Sequence, residues 1–158
     1  MLSHMRTRHL PLVLLLLAQL ASPIPTAAAD DTFGPLAGTW EHHGFSLTLQ
    51  DDGTGEAVWR VYRFCDPGEP TPCDQIVDNG IISGGHAQIA LTGSDDSGVF
   101  QGTVTATTDP ALLDEGPITL TPEPYDMALL EQGDTQIVLC GEHVAEVAPP
   151  AALESCGA

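Results

Sequence analysis

Glu41, His42 and His43, inside the stretch GTWEHHGFSL (residues 38–47), are the residue types in this 158-residue chain that most invite chemistry. Imidazole and carboxylate together suit zinc or copper, so these three are the candidate metal residues. Their spacing works against it. Neighbours on a strand point to opposite faces, so gripping one ion would take a bulge, or help from His86, His143 or a carboxylate on an adjacent strand. The simpler expectation is that one histidine packs under Trp40 and the other meets solvent. Calcium has its own candidates in the acidic turns DDGTGE and GSDDSG, but neither matches the twelve-residue loop with its closing glutamate. Aspartate and glycine serve hairpin turns for backbone reasons alone. No bound cofactor is therefore expected, with zinc, copper or calcium as the alternatives.

A catalytic constellation is harder to assemble. Asp96–Gly98 spells DSG, as aspartic proteases do, but TGSD precedes it where apolar residues belong, and the piece fits a hairpin tip. The sequence contains no G-x-S-x-G elbow, phosphate loop or H-E-x-x-H helix. The expectation is a protein without catalytic activity; a small hydrolase with a dispersed site is the rival. Arg60 and Arg63 are cations in an acid-rich chain, and on one strand at most one of them faces inward. If Arg60 is the inward one, beside Tyr62 and Phe64, it is expected to pair with a buried carboxylate or to hold an anionic ligand; an outward arginine would simply relieve local acid crowding.

Cys65, Cys73, Cys140 and Cys156 form an even set, and four cysteines permit three pairings. Nearest neighbours give the simplest pairing: Cys65 with Cys73 closes CDPGEPTPC, and Cys140 with Cys156 ties the tail back to a strand end. None is spaced as C-x-x-C, which argues against zinc bound by cysteine.

The compartment is indicated by the first 29 residues. Arg6 and Arg8 precede the apolar run LPLVLLLLAQLA, and TAAA supplies a cleavage site, so residues 1–29 read as a signal peptide. The run is shorter than the roughly 20 residues that a membrane span needs. Residues 30–158 are then a secreted or envelope-exterior protein, with one domain over 30–144 and an irregular tail over 145–158. This part holds two arginines, no lysine and all 22 acidic residues, a formal charge of about −20. Such a surface repels nucleic acid and anionic membranes. A small ligand or a protein remains as the partner, and a single copy is expected.

Alternation with period two dominates the region from Phe45 to Cys140. FSLTL puts Phe45, Leu47 and Leu49 on one face, DDGTG turns the chain, and EAVWRVYRF places Ala57, Trp59 and Val61 on one face. QIV and IIS around DNG make a second hairpin, in which Asn79 and Gly80 suit positive φ. HAQIALTG with VFQGTVTA, and then ITLTPEPYDMALLEQ with QIVLC, complete an antiparallel all-β meander of about eight strands. An up-and-down barrel is expected ahead of a sandwich. DPALLDEG alone has helical character.

GTW, with Gly38 and Trp40, resembles the G-x-W start of the lipocalin and avidin groups, which implies a calycin-like barrel closed at one end by the tryptophan. The longer string from GTWEHHG through LQDDGTGEAVWRVYRFC to PCD resembles a group of small exported β proteins of actinobacteria to which no activity is attached. Neither resemblance brings a functional residue with it. The sequence thus reads as an exported, disulfide-stapled, acidic binding barrel. Trp40, Trp59, Arg60 and Tyr62 are the candidate ligand contacts, for a small ligand held inside or a protein held outside.

Overall fold

The computed structural model of the protein describes residues 33–157, so the signal segment 1–29 lies outside the described residues. Eight strands close into an antiparallel barrel: β1 (Gly38–His42), β2 (Phe45–Leu49), β3 (Thr54–Trp59), β6 (Gly85–Ser94), β7 (Phe100–Thr107), β8 (Gly116–Glu123), β9 (Met127–Gln132) and β10 (Thr135–Cys140). Each pairs with the next in the chain, and β10 returns to β1. This is the expected up-and-down barrel, but its membership differs from the expectation. GTWEH is itself a strand, whereas β4 (Gln75–Val77) and β5 (Gly80–Ile82) form a separate two-stranded sheet. That sheet belongs to an excursion, residues 60–84, between β3 and β6.

The strand EAVWRVYRF stops at Trp59 because Tyr62 takes a left-handed backbone, φ 55°, which cannot continue a ladder. In the DNG turn Gly80 has positive φ and Asn79 does not. DPALLDEG forms no helix; the loop it makes drops Leu113 into complete burial at one barrel end. The tail is more regular than expected, with α1 (Val144–Val147), α2 (Pro150–Leu153) and a 3-10 turn over Glu154–Cys156.

Period-two alternation sends every second residue inward, and those residues merge into one apolar cluster. Leu47, Leu49, Ala57, Ile89, Val104, Leu120, Leu130 and Leu139 fill the centre. Leu36 plugs the end opposite Leu113, where its carbonyl accepts the Trp40 Nε1–H at 2.8 Å. Filling is tight enough to demand glycine: a Cβ on Gly55 would sit 2.6 Å from Leu49 Cδ2, and one on Gly102 would sit 2.8 Å from Leu91 Cδ2. This barrel holds a core rather than a chamber.

Gly85 shows the same constraint, since a Cβ there would be driven into the Trp59 indole. Gly85→Ala is expected to destabilise the fold by about 1–3 kcal/mol through overpacking. Its chemical denaturation midpoint, followed by the near-ultraviolet dichroism of the tryptophans, checks this. A midpoint equal to that of the natural chain would show that Trp59 shifts freely.

Candidate functional site

Strain and burial point to the excursion. Asp74 is fully buried, the one charged side chain so placed among the described residues. Its Oδ2 accepts the Arg60 Nε–H at 2.7 Å and the Tyr62 amide at 3.0 Å; its Oδ1 accepts the amides of Val61 at 3.1 Å and Gly84 at 2.9 Å. Burial opposes ionisation of this carboxyl, but the Arg60 guanidinium and the Gly84, Val61 and Tyr62 amides outweigh it and hold the group below its usual range. Asp74 therefore ties both ends of the excursion to one point. Arg60 pairs with a buried carboxylate, but outside the barrel, where an outward arginine is expected only to relieve acid crowding.

Further clamps make the excursion a platform. The Cys65–Cys73 disulfide closes its first loop, and Phe64 bridges to Asp74 in parallel register. Arg63 reaches Glu69 at 3.3 Å and donates to the Pro72 carbonyl. Both arginines are thus engaged, and neither enters the barrel. Held in this way, Tyr62 keeps its left-handed backbone, a conformation costing an ordinary side chain on the order of 1–3 kcal/mol. Tyr62 is 62% exposed, and the Arg60 guanidinium lies over its ring 5.1 Å from the centroid.

What this platform presents is apolar. Phe64, Ile76, Val77, Ile81 and Ile82 are all exposed, Ile76 to 71%. Ile76 and Ile81 are register partners and share one face of the small sheet, while Val77 and Ile82 alternate to the other. An isolated two-stranded sheet is marginal in water. Exposed apolar residues gathered on one small segment in this way mark interaction surfaces.

The other candidate residues fall elsewhere. Trp40 is core. Trp59 is core too, stacked on Phe45 at 5.9 Å between centroids with its Nε1–H donated to Asp109 at 3.1 Å. With Arg60, Tyr62, His42 and His43 it borders a depression of about 480 Å³ at the barrel mouth. Three of the four expected ligand contacts therefore meet, although at a mouth closed below by Leu113.

Glu41, His42 and His43 line a groove of about 920 Å³ between β1 and the tail, bounded on the far side by Glu142 and Cys156. Glu41 is exposed on the strand, His42 is half-buried behind it, and His43 sits in the following turn. Among the described residues no three His, Cys, Asp or Glu side chains gather as a metal site requires. His86 is occupied elsewhere, pairing with Glu56 on the outer face of β3 and β6.

The acidic turns serve themselves. Asp52 accepts the Thr54 hydroxyl and amide, and Asp95 accepts the Ser97 hydroxyl and the amides of Ser97 and Val99. Those hydroxyls, seconded by backbone amides, hold both carboxyls below the usual carboxylate range. The DSG piece lies at this second tip, between β6 and β7.

Sequence reasoning placed Ile76, Val77, Ile81 and Ile82 in an ordinary hairpin. The readable signal was that QIV and IIS do not alternate apolar with polar, so both faces of that hairpin carry aliphatic side chains. No protein-family model, no curated protein and no solved structure matches the chain.

Proposed function

We propose that this protein is an exported, non-catalytic binding barrel whose partner is a protein held on the 60–84 platform. The observation that carries the reading is the apolar group Tyr62, Phe64, Ile76, Val77, Ile81 and Ile82, exposed on a segment fixed by a buried ion pair and a disulfide. Unused apolar surface is ordinarily hidden, and here it is displayed on a rigid mount. Aromatic residues with few rotatable bonds, such as Tyr62, are favoured at the centres of such surfaces. A ligand inside the barrel has no room, because the inward side chains already pack against one another. Export fits the two formed disulfides, which persist in oxidising compartments.

A photocrosslinking residue tests the location. Placed at Ile76 and, in a second variant, at Thr103 on the outer face of β7, it is exposed on both sides of the comparison. Incubated with exported proteins of the producing cells, the position 76 variant is expected to give a discrete adduct that excess unlabelled protein competes away. The position 103 variant is expected to give none. Equal labelling at both positions, or none at either, would overturn the platform reading.

A further inference from the structure

We infer that the platform recognises an extended segment of its partner, β-branched in the middle and flanked by lysine or arginine, which adds as a further strand to the small sheet. The inference rests on the platform reading and names the class of partner. Three observations lead to it.

The first is the unsatisfied edge. In a two-stranded sheet every second residue of each strand turns its N–H and C=O away from its neighbour. β4 and β5 pair only with each other, and no backbone hydrogen bond from elsewhere among the described residues reaches residues 75–82. The outer edge of β5 is therefore open, and so is that of β4 beyond the Phe64–Asp74 bridge at its root, a template for a third strand. Of the native devices that blunt an edge, lysine, arginine and proline are absent from 75–82, and the shortness of the two strands, three residues each, is the one such device present.

The second is side-chain chemistry. Since Ile76 and Ile81 line one face and Val77 and Ile82 the other, an added strand meets aliphatic neighbours whichever way its residues point. β-Branched residues pack best in those cross-strand positions.

The third is charge, which decides between a foreign segment and a second copy of this chain. Asp78 stands exposed at the sheet's tip, with Asp66 and Glu69 exposed on the disulfide loop at its root. The nearby cations are used, Arg60 by Asp74 and Arg63 by Glu69. A second copy would bring the same acids to the edge, on a chain of formal net charge −18. A segment with basic ends relieves this, because its cations meet Asp78 at one end and Asp66 at the other.

The probe is a peptide of alternating valine and threonine, about eight residues long, with two lysines at each end. Three versions separate the causes: the parent, one with glutamate in place of lysine, and one with the lysines kept and every second amide N-methylated to remove strand donors. Binding is measured at physiological ionic strength, and amide exchange is followed at residues 75–82.

The parent is expected to bind and to slow exchange at alternate amides of β4 or β5. The other two are expected to bind at least about tenfold more weakly. Equal binding of the methylated peptide would overturn strand addition, since charge alone would explain the affinity. Equal binding of the glutamate peptide would overturn the basic partner. A dimer formed through residues 75–82 without peptide would replace the foreign segment by a second copy. If the position 76 crosslink succeeds while the parent peptide fails to bind, the platform stands and only this partner class falls; failure of the crosslink removes the platform itself.

Discussion

Asp74→Ala is expected to lower the stability of the docked platform by about 3–5 kcal/mol, the range for removing one partner of a buried ion pair. The variant leaves the Arg60 guanidinium and the amides of Val61, Tyr62 and Gly84 without their common acceptor. Each unpaired buried donor adds its own desolvation penalty. The loss concentrates in residues 60–84, because the barrel core makes no use of Asp74. Amide exchange should therefore accelerate across the platform first, and Tyr62 should relax from its left-handed backbone. Unchanged exchange in residues 60–84 would show that the Cys65–Cys73 disulfide alone holds the segment.

The same carboxyl sets an acid limit. Its folded pKa lies below the ordinary 3.8, so its contribution is fully present above about that pH and declines as pH falls through the lower, folded value. In the natural chain the platform is expected to loosen only in that acid range. Asp74→Asn cannot ionise, so it should show a weaker platform at neutral pH and little further change from this position on acidification. An Asn variant with the natural chain's pH profile would assign the acid limit to other carboxyls.

Removing the Cys140–Cys156 bridge by Cys140→Ser with Cys156→Ser is expected to cost about 2–4 kcal/mol and to lower the melting midpoint by roughly 10 °C. The reason is its place. Cys140 is the register partner of Glu41 and the only residue of β10 paired with β1, so the bridge sits at the seam where the barrel closes. The tail it anchors is held further by Asp126, which accepts the His143 amide at 2.7 Å. Without the bridge, a thin seam and two four-residue helices must hold the closure unaided. The corresponding Cys65 and Cys73 variant opens a shorter loop, eight residues apart against sixteen, and should lower the midpoint less while speeding exchange in the platform. Equal midpoints for the natural chain and the seam variant would show that the ladder closes the barrel without help.

Much of the barrel was legible because alternation is a local property. Phe45, Leu47 and Leu49 face inward for the same reason that Ser46 and Thr48 do not, and a strand shows that pattern in five residues. The turns at DDGTG and SDDSG declared themselves through residues whose side chains bond their own backbone, as Asp52 and Asp95 do. Composition settled the charge, and cysteine count limited the crosslinks to three schemes.

The site was decided elsewhere. EAVWRVYRF reads as one long strand, and nothing local says that it ends at Trp59; the end depends on Asp74, a residue 15 positions later whose carboxylate collects Arg60 and the amides of Val61 and Tyr62. QIV and IIS read as two barrel strands because a strand–turn–strand pattern marks a hairpin without saying which sheet it joins; only their missing alternation hinted otherwise. Which of them joins the ladder depends on whether a neighbour's edge is free, and Gly85–Ser94 took the place beside β3. Leu113 looked like part of a short helix and became a plug, since burial is set by the space above the core rather than by propensity. Local sequence specified the strands and turns of this protein; tertiary competition for partners chose which strands close the barrel and left one apolar hairpin outside it.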